Sequence, residues 1–416
     1  MEKLYKLYLE HPQICTDTRN IIPDSIFVCL KGERFDGNTF ALNALEQGAA
    51  YVITENADLS ENPKCIVVSD SLRTLQDLAA YHRQQLKIPV IGITGTNGKT
   101  TTKELVSTVL SQKFRTAYTK GNLNNHIGVP LTLLSIKPTD EIAIVEMGAN
   151  HPGEIADLCA IARPNFGLIT NVGKAHIEGF GSEAEIIHTK KALYRSVMQD
   201  HGTLFVNVND KVLRDGLDYD SVFYYADGGE DNIVSMSPYL RIRVAGHEVD
   251  THLTGSYNIF NFLAAAAVGH YFGVTDTQIA EALGAYVPSN HRSQINEIGS
   301  NIIISDYYNA NPTSMEAAVR NLAKLNHPNK LAILGDMREL GSISHEEHLR
   351  IVGLCKGLGI KTIFVGSEFC SIQPEQGFTD VEALNQHLIE YPITDSLILV
   401  KGSNSIHLDK LSALLQ

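Results

Sequence analysis

No stretch of this 416-residue chain approaches the roughly 20 consecutive apolar residues of a membrane-spanning helix, which excludes bilayer insertion by that route. Its opening, MEKLYKLYLEHPQ, lacks the apolar segment and cleavage site of a secretory leader, so a cytoplasmic location is expected. A basic surplus is also missing: 34 Lys and Arg stand against 47 Asp and Glu, a net charge of -13. Nucleic acid, which needs a contiguous basic face, is thereby excluded as a partner, whereas one loop and one lysine can still hold a nucleotide. The six cysteines, at 15, 29, 65, 159, 355 and 370, show no C-x-x-C spacing and no accompanying histidine pattern. That argues against a disulfide framework or structural zinc site and leaves reduced, buried thiols as the expectation. With 44% hydrophobic and 19% charged residues, the composition is that of an ordered soluble protein. The length exceeds what one hydrophobic core usually fills, so two or three domains are expected.

What is present is concentrated in VIGITGTNGKTTTKEL at residues 90–105. Val90 to Ile93 reads as a buried strand, Gly95 and Gly98 allow positive φ and close approach of backbone to phosphate, and a helix opens with its free N–H groups toward the anion. Lys99 would reach the terminal phosphates, and a hydroxyl at Thr100 or Thr101 their metal ion. The spacing departs from G-x-x-x-x-G-K-[ST], since Gly92 stands six positions before Gly98 and Gly95 three before. A glycine-rich strand-to-helix turn without a ligand is the alternative; strand, lysine and threonine run together make ATP use the working premise.

Residues 1 to about 83 hold strand-like runs at 25–30, 49–54 and 64–69, with a polar turn entering a helix between the first two, and Leu72 to Gln85 reads as a helix. From 84 to about 290, strands at 90–94, 141–148, 166–172, 202–208 and near 222 alternate with helices and precede an apolar helix, Asn258 to Tyr271. Such runs describe a mostly parallel sheet covered on both faces. Ligands then sit at the carboxyl ends of the strands, where Gly95 to Thr100, Glu146 and Asn171 to His176 fall. Beyond His291, runs at 302–309, 330–337, 361–366 and 397–403 predict a second open sheet of dinucleotide-fold type, with no dinucleotide fingerprint to give it a function.

TGTNGKTTT at 94–102, GNLNNHIGVPLTLL at 121–134, EMGANHPGEI at 146–155, DYYNANPTSM at 306–315, GDMRELG at 335–341 and KGS at 401–403 together resemble the Mur ligase family, over essentially the whole chain. The resemblance implies an α/β protein of three domains, with a central P-loop parallel sheet and a C-terminal Rossmann-like domain. Residues 1–83 would bind the UDP-sugar, 84–290 ATP, and 291–416 an incoming dipeptide. The implied reaction belongs to peptidoglycan precursor synthesis: ATP-dependent joining of D-alanyl-D-alanine to UDP-N-acetylmuramoyl-tripeptide. The D-N-P-R string of the sister that adds the dibasic third residue is absent, and N-A-N-P stands instead. A monomer is expected.

The family pattern also implies site residues. Glu146, ending an apolar strand, would join Thr100 as a ligand of Mg2+, and His176 would hold a second Mg2+; a lone histidine is otherwise more often structural. Lys190 matches a lysine that becomes carbamylated and binds that second metal, with Lys191 as the competing assignment and Ala192 where glutamate is common. Asn122 and Asn125, with Asn124 between them, would act beside Lys99, His176 and Lys190 in catalysis, although three amides can equally make a surface turn. ATP would be held by Gly95, Thr96, Asn97, Gly98, Lys99, Thr100 and Thr101, with Asn258 at adenine and Arg292 and Asp306 at phosphate and ribose; Tyr257 replaces a common histidine. Thr18, Arg19, Lys31 and Asp36 would hold the UDP-sugar, with Asn38 where histidine is frequent. Asn309, Asn311 and Ser314 would face the dipeptide, unless N-P merely starts a helix; Glu339 and the 401–403 turn are further candidates for that face. Competing readings are another Mur or folate-type amide ligase, or a nucleotide-dependent switch that makes no bond.

Overall fold

The computed structural model of the chain describes residues 1–32, 35–289 and 292–411. The apolar strands of the middle stretch pair in parallel in the order Val222–Tyr225, Thr203–Asn207, Phe166–Ile169, Val90–Thr94, Ile142–Glu146, Thr116–Tyr118. All residues of Val90–Thr94, Ile142–Glu146 and Thr203–Asn207 are buried, because helices cover both faces. Lys99–Leu110 and Ile259–Tyr271 pack on one face, where small Ala264 to Ala267 lie buried; Glu154–Ala162 and Glu183–Gln199 pack on the other. Each fully buried Leu, Ile or Phe in these layers contributes about 1.5–3 kcal/mol. Parallel pairing gathers the loops after Thr94, Glu146 and Ile169 at one edge of the sheet, and that edge carries the site.

The first sheet is parallel, in the order Ile14–Cys15, Ile26–Val28, Tyr51–Thr54, Cys65–Val67, and a small hairpin pairs Lys31–Gly32 with Phe35–Asp36. Asp70 caps helix Ser71–Gln85 by accepting from the Arg73 N–H at 2.8 Å. That helix joins two units in one core: Leu75 and Leu78 cluster with Ile26, Val28 and Ile53 of the first sheet and with Val90 and Val129 of the middle stretch. Arg83 ties its end to the Ala162 and Arg163 carbonyls, each at 2.9 Å. A dividing line between residues 83 and 84 therefore cuts this helix.

The third sheet runs Gln294–Ile298, Asn301–Ser305, Leu397–Lys401, Lys330–Gly335, Lys361–Val365, Gly377–Phe378, with the first strand antiparallel and the others parallel. The four expected strands are there; Gln294–Ile298 and the two-residue Gly377–Phe378 flank them. A three-stranded antiparallel sheet, Ile233–Met236, Leu240–Val244, His247–Asp250, was not expected. Its turn has Ala245 at φ 50° and Gly246 at φ 72°, the left-handed pair a two-residue hairpin requires. The expected division at 290/291 and the final residues 412–416 lie outside the described residues. Five of the six free cysteines are buried, and among the described residues no helix is long and apolar enough to cross a membrane.

Candidate active site

The strand Val90–Thr94 runs straight into the loop at 95–98 and the helix Lys99–Leu110, which begins with no side-chain cap. Gly95 has φ +145° and Gly98 φ +79°; a Cβ on the first would stand 2.0 Å from Thr170 Oγ1, and on the second 2.6 Å from Asn261 Oδ1. The loop is fastened to the end of Phe166–Ile169. The Thr170 hydroxyl donates to the Asn97 carbonyl at 2.6 Å, the Asn97 N–H donates to Asn171 Oδ1 at 3.0 Å, and the Thr96 N–H donates to the Asn171 carbonyl at 2.9 Å. Its shape is thus set by protein contacts in advance of any phosphate.

A cleft of about 1230 Å³ opens over this loop, lined by residues 96–101, by Asn122, Asn124 and Asn125, by Glu146 and His176, and by Arg292, Asp306, Asn309, Asn311 and Glu339 from the third unit. Lys99 Nζ donates to the carbonyls of Gly95, 2.7 Å, and Thr96, 3.0 Å. Burial pulls its ammonium down to about 8, with Arg292 pressing the same way and Glu146 opposing. Glu146 is fully buried; its Oε1 accepts from the Thr100 hydroxyl at 3.0 Å and from Asn124 Nδ2 at 2.8 Å. Among the described residues its Oε2 accepts no hydrogen bond, and it lies 4.0 Å from Lys103 Nζ, itself buried and donating to the Thr119 carbonyl. A buried carboxylate oxygen without a donor, next to a threonine hydroxyl, is a hard-oxygen pair that fits Mg2+. Among the described residues no three His, Cys, Asp or Glu side chains cluster to hold a metal. Mg2+ commonly binds in this sparse way, through one or two carboxylates with substrate phosphates supplying the rest.

Lys190 is 2% exposed, donates to the Ala149 carbonyl at 3.4 Å, and lies 5.6 Å from the Phe180 ring centre. Burial first, then Lys99, holds its ammonium well below the ordinary lysine range, which eases loss of its proton. Lys191 is half-buried instead. His176 takes a left-handed φ of 53° at the head of Ile177–Phe180, and its Nδ1 meets Glu339 Oε2, which also has a positive φ. The bond to His176 holds the Glu339 carboxyl below its usual range.

Other expected residues are partly occupied by the fold. Asn125 Oδ1 accepts from the N–H groups of Ile127 and Gly128, and Asn122 lines the cleft from an exposed position. Buried Asn258 donates to the Thr254 carbonyl at 2.7 Å and accepts from Asn261 at 2.8 Å, which leaves one N–H and one lone pair of its amide. The Arg292 guanidinium lies 3.9 Å from the Tyr308 ring centre, and its buried Nε finds no hydrogen-bond partner among the described residues. Asp306 is held by Lys401 at 2.8 Å. Asn311 caps Pro312–Lys324 in a capping box with Ser314, and its Nδ2 donates to Asn97 Oδ1 at 2.8 Å, linking the third unit to the loop at 95–98. Asn309 is exposed on the turn that Lys401 holds through its carbonyl. Thr18, Arg19, Lys31 and Asp36 are not brought into this cleft: Arg19 pairs with Asp17, and Asp36 caps Gly37–Phe40. Sequence reasoning passed over Lys103 and Asn261. A lysine at helical spacing from Lys99 was the available signal for the first; Asn261 gave none.

The chain matches the Mur ligase family, catalytic domain, over residues 12–94, the Mur ligase middle domain over 93–269, and the Mur ligase, glutamate ligase domain over 291–404. It is 33% identical over 426 residues to the UDP-N-acetylmuramoyl-tripeptide–D-alanyl-D-alanine ligase of Bacillus subtilis, a match covering 96% of this chain and 92% of that one. A crystal structure of MurF from Acinetobacter baumannii superposes with a TM-score of 0.87 at 31% identity, over 97% of this chain and 92% of that one. MurF ligase from Thermotoga maritima in complex with ADP gives 0.85 at 26%, over 98% and 97%. With three sheet units arranged as in those ligases and matches along nearly its whole length, this chain belongs to the Mur ligase family.

Proposed function

We propose that this chain joins D-alanyl-D-alanine to UDP-N-acetylmuramoyl-tripeptide, at the expense of ATP, to give UDP-N-acetylmuramoyl-pentapeptide, ADP and phosphate. The observation that carries the proposal is one cleft in which the loop at 95–98, the Glu146 carboxylate oxygen that accepts no hydrogen bond among the described residues, and residues of the third unit meet. A carboxylate is a poor electrophile, and phosphorylation gives it a leaving group. The tripeptide carboxylate oxygen attacks the γ-phosphorus as the bond to ADP breaks. The dipeptide amine then attacks the acyl carbon, loses a proton, and phosphate departs.

Each part of the chain has a task in this reading. Residues 1–83 hold the UDP-sugar through Thr18, Arg19, Lys31 and Asp36; 84–290 hold ATP; 291–416 present the dipeptide along Asn309, Asn311 and Ser314. Lys99 leaves the loop carbonyls for the terminal phosphates, and Asn258, Arg292 and Asp306 orient the nucleoside and its phosphates. Thr100 and Glu146 would hold one Mg2+, and His176 with Lys190 as its carbamate a second. Bound there, Mg2+ supplies positive charge that lets the phosphoryl group and its carboxylate acceptor approach. Burial of Lys190 eases loss of its ammonium proton, which suits carbamylation: the amine nitrogen bonds to the carbon of CO2 and sheds a proton, and the side chain becomes an anionic oxygen ligand beside Lys99. Seating of the third unit excludes water that would hydrolyse the acyl phosphate.

The test is phosphate release with ATP and Mg2+, omitting one substrate at a time, with product mass checked. Release that needs both substrates and tracks the UDP-pentapeptide is expected. Release with neither, or turnover only with another amine, would overturn the assignment.

A further inference from the structure

The contact between His176 and Glu339 joins two units through residues 163 positions apart. An ionised carboxylate can only accept, so the ring proton sits on Nδ1, and in the neutral imidazole Nε2 keeps its lone pair. The flanking backbone is fitted as well. The Glu178 N–H points to the Glu339 carbonyl at 3.4 Å, and Lys174 Nζ lies 3.9 Å from Glu347 Oε1. The turn that carries Glu339 is braced from behind: the Arg338 N–H donates to Ser403 Oγ at 2.9 Å, the Met337 N–H donates to His348 Nε2 at 3.0 Å, and the buried Asp336 carboxylate accepts the N–H groups of Glu368 and Phe369. Glu339 itself holds a left-handed φ of 63°.

We propose that Glu339 is a positioning residue, which fixes the His176 proton on Nδ1 and so presents Nε2 to a hard divalent cation. Since Glu339 belongs to the third unit and His176 to the central one, this cation site is complete only when the third unit is seated. The proposal rests on the reading of His176 as a metal ligand, and it assigns Glu339 a task other than the dipeptide contact expected from its motif. A histidine that ligates a metal usually gives its second N–H to a carboxylate, and loss of that partner weakens metal binding about 10–100-fold.

The experiment is a Mn2+ titration of the full chain with ADP present, read by the electron paramagnetic resonance of free Mn2+, on wild type, Glu339→Ala, Glu339→Gln and His176→Ala. A Mn2+ population assigned to Thr100 and Glu146 serves as the internal control for folding and is expected in all four. Glu339→Ala should weaken the other Mn2+ population about 10–100-fold. Glu339→Gln should keep most of it, because an amide oxygen still accepts from Nδ1–H. Turnover should fall through kcat, with the KM for the dipeptide little changed. If His176→Ala loses that population while Glu339→Ala titrates like wild type, the positioning role is overturned and the metal reading survives. A raised dipeptide KM with unchanged Mn2+ binding would return Glu339 to the acceptor face. If His176→Ala also titrates like wild type, the ligand reading falls and the inference with it.

Discussion

Gly98 offers the sharpest steric test of how the loop at 95–98 is held. Its φ of +79° costs a residue with a Cβ about 1–2 kcal/mol. The added methyl in Gly98→Ala would also stand 2.6 Å from Asn261 Oδ1, so Asn261 must move. That side chain accepts from the Thr102 hydroxyl at 3.0 Å and donates to Asn258 at 2.8 Å. Losing both bonds costs about 2 kcal/mol, which brings Gly98→Ala to about 3–4 kcal/mol. Asn261→Ala loses the same two bonds, again about 2 kcal/mol. Because the two changes share that loss, the double variant should cost about 3–4 kcal/mol rather than the additive 5–6 or so. For a unit of 150–250 residues, 1 kcal/mol moves Tm by roughly 2–4 °C, so the double variant should melt about 4–8 °C above the additive expectation. Calorimetry of the two single variants and the double variant reads this directly. Strictly additive shifts would refute the claim that Asn261 is what closes the space beside Gly98.

Three further outcomes follow from the site. Lys99, drawn below its ordinary 10.5 to about 8 by burial, costs stability as an ammonium below pH 8, a cost that fades as pH rises toward 10.5. Bound polyphosphate restores the charge, so ADP affinity should weaken as pH rises through about 8, while Lys99→Met binds poorly with a flat profile in calorimetric titrations. Wild-type turnover should fall in CO2-stripped buffer and recover with bicarbonate, and intact-mass and peptide mapping should locate one added CO2 on Lys190; finding it on Lys191 would refute the assignment. Asn311→Ala should lose a helix cap worth about 1 kcal/mol and raise KM for ATP, whereas Asn311→Asp should restore the melting temperature without the kinetics, because aspartate caps but cannot donate to Asn97.

Local chemistry made much of this legible. Strand, glycines, lysine and threonines at 90–102 are neighbours in sequence and become neighbours in space, and Asp70 and Asn311 announce helices by capping three residues ahead. The central parallel strands were readable because burial on both faces makes them apolar throughout. Edge strands such as Thr116–Tyr118 and Ile14–Cys15 are two or three residues long, too short for a period to emerge. The sheet at 233–250 alternates Leu240, Ile242 and Val244 with exposed arginines and could have been found from that alternation and its Ala-Gly turn. What local sequence does not encode is which distant side chain completes a polar group: Thr102 with Asn261, Asn97 with Asn311, His176 with Glu339. Those pairings depend on helix docking and on the seating of one unit upon another.

The central claim is that bond formation passes through phosphorylation of the tripeptide carboxylate, and transfer of a heavy-oxygen label tests it most directly. With the label in that carboxylate and unlabelled ATP and water, one labelled oxygen should leave with the released phosphate for each pentapeptide formed. Phosphate that carries no label, released at the same rate, would mean that ATP is hydrolysed by water and that the chain couples its nucleotide to something other than this bond.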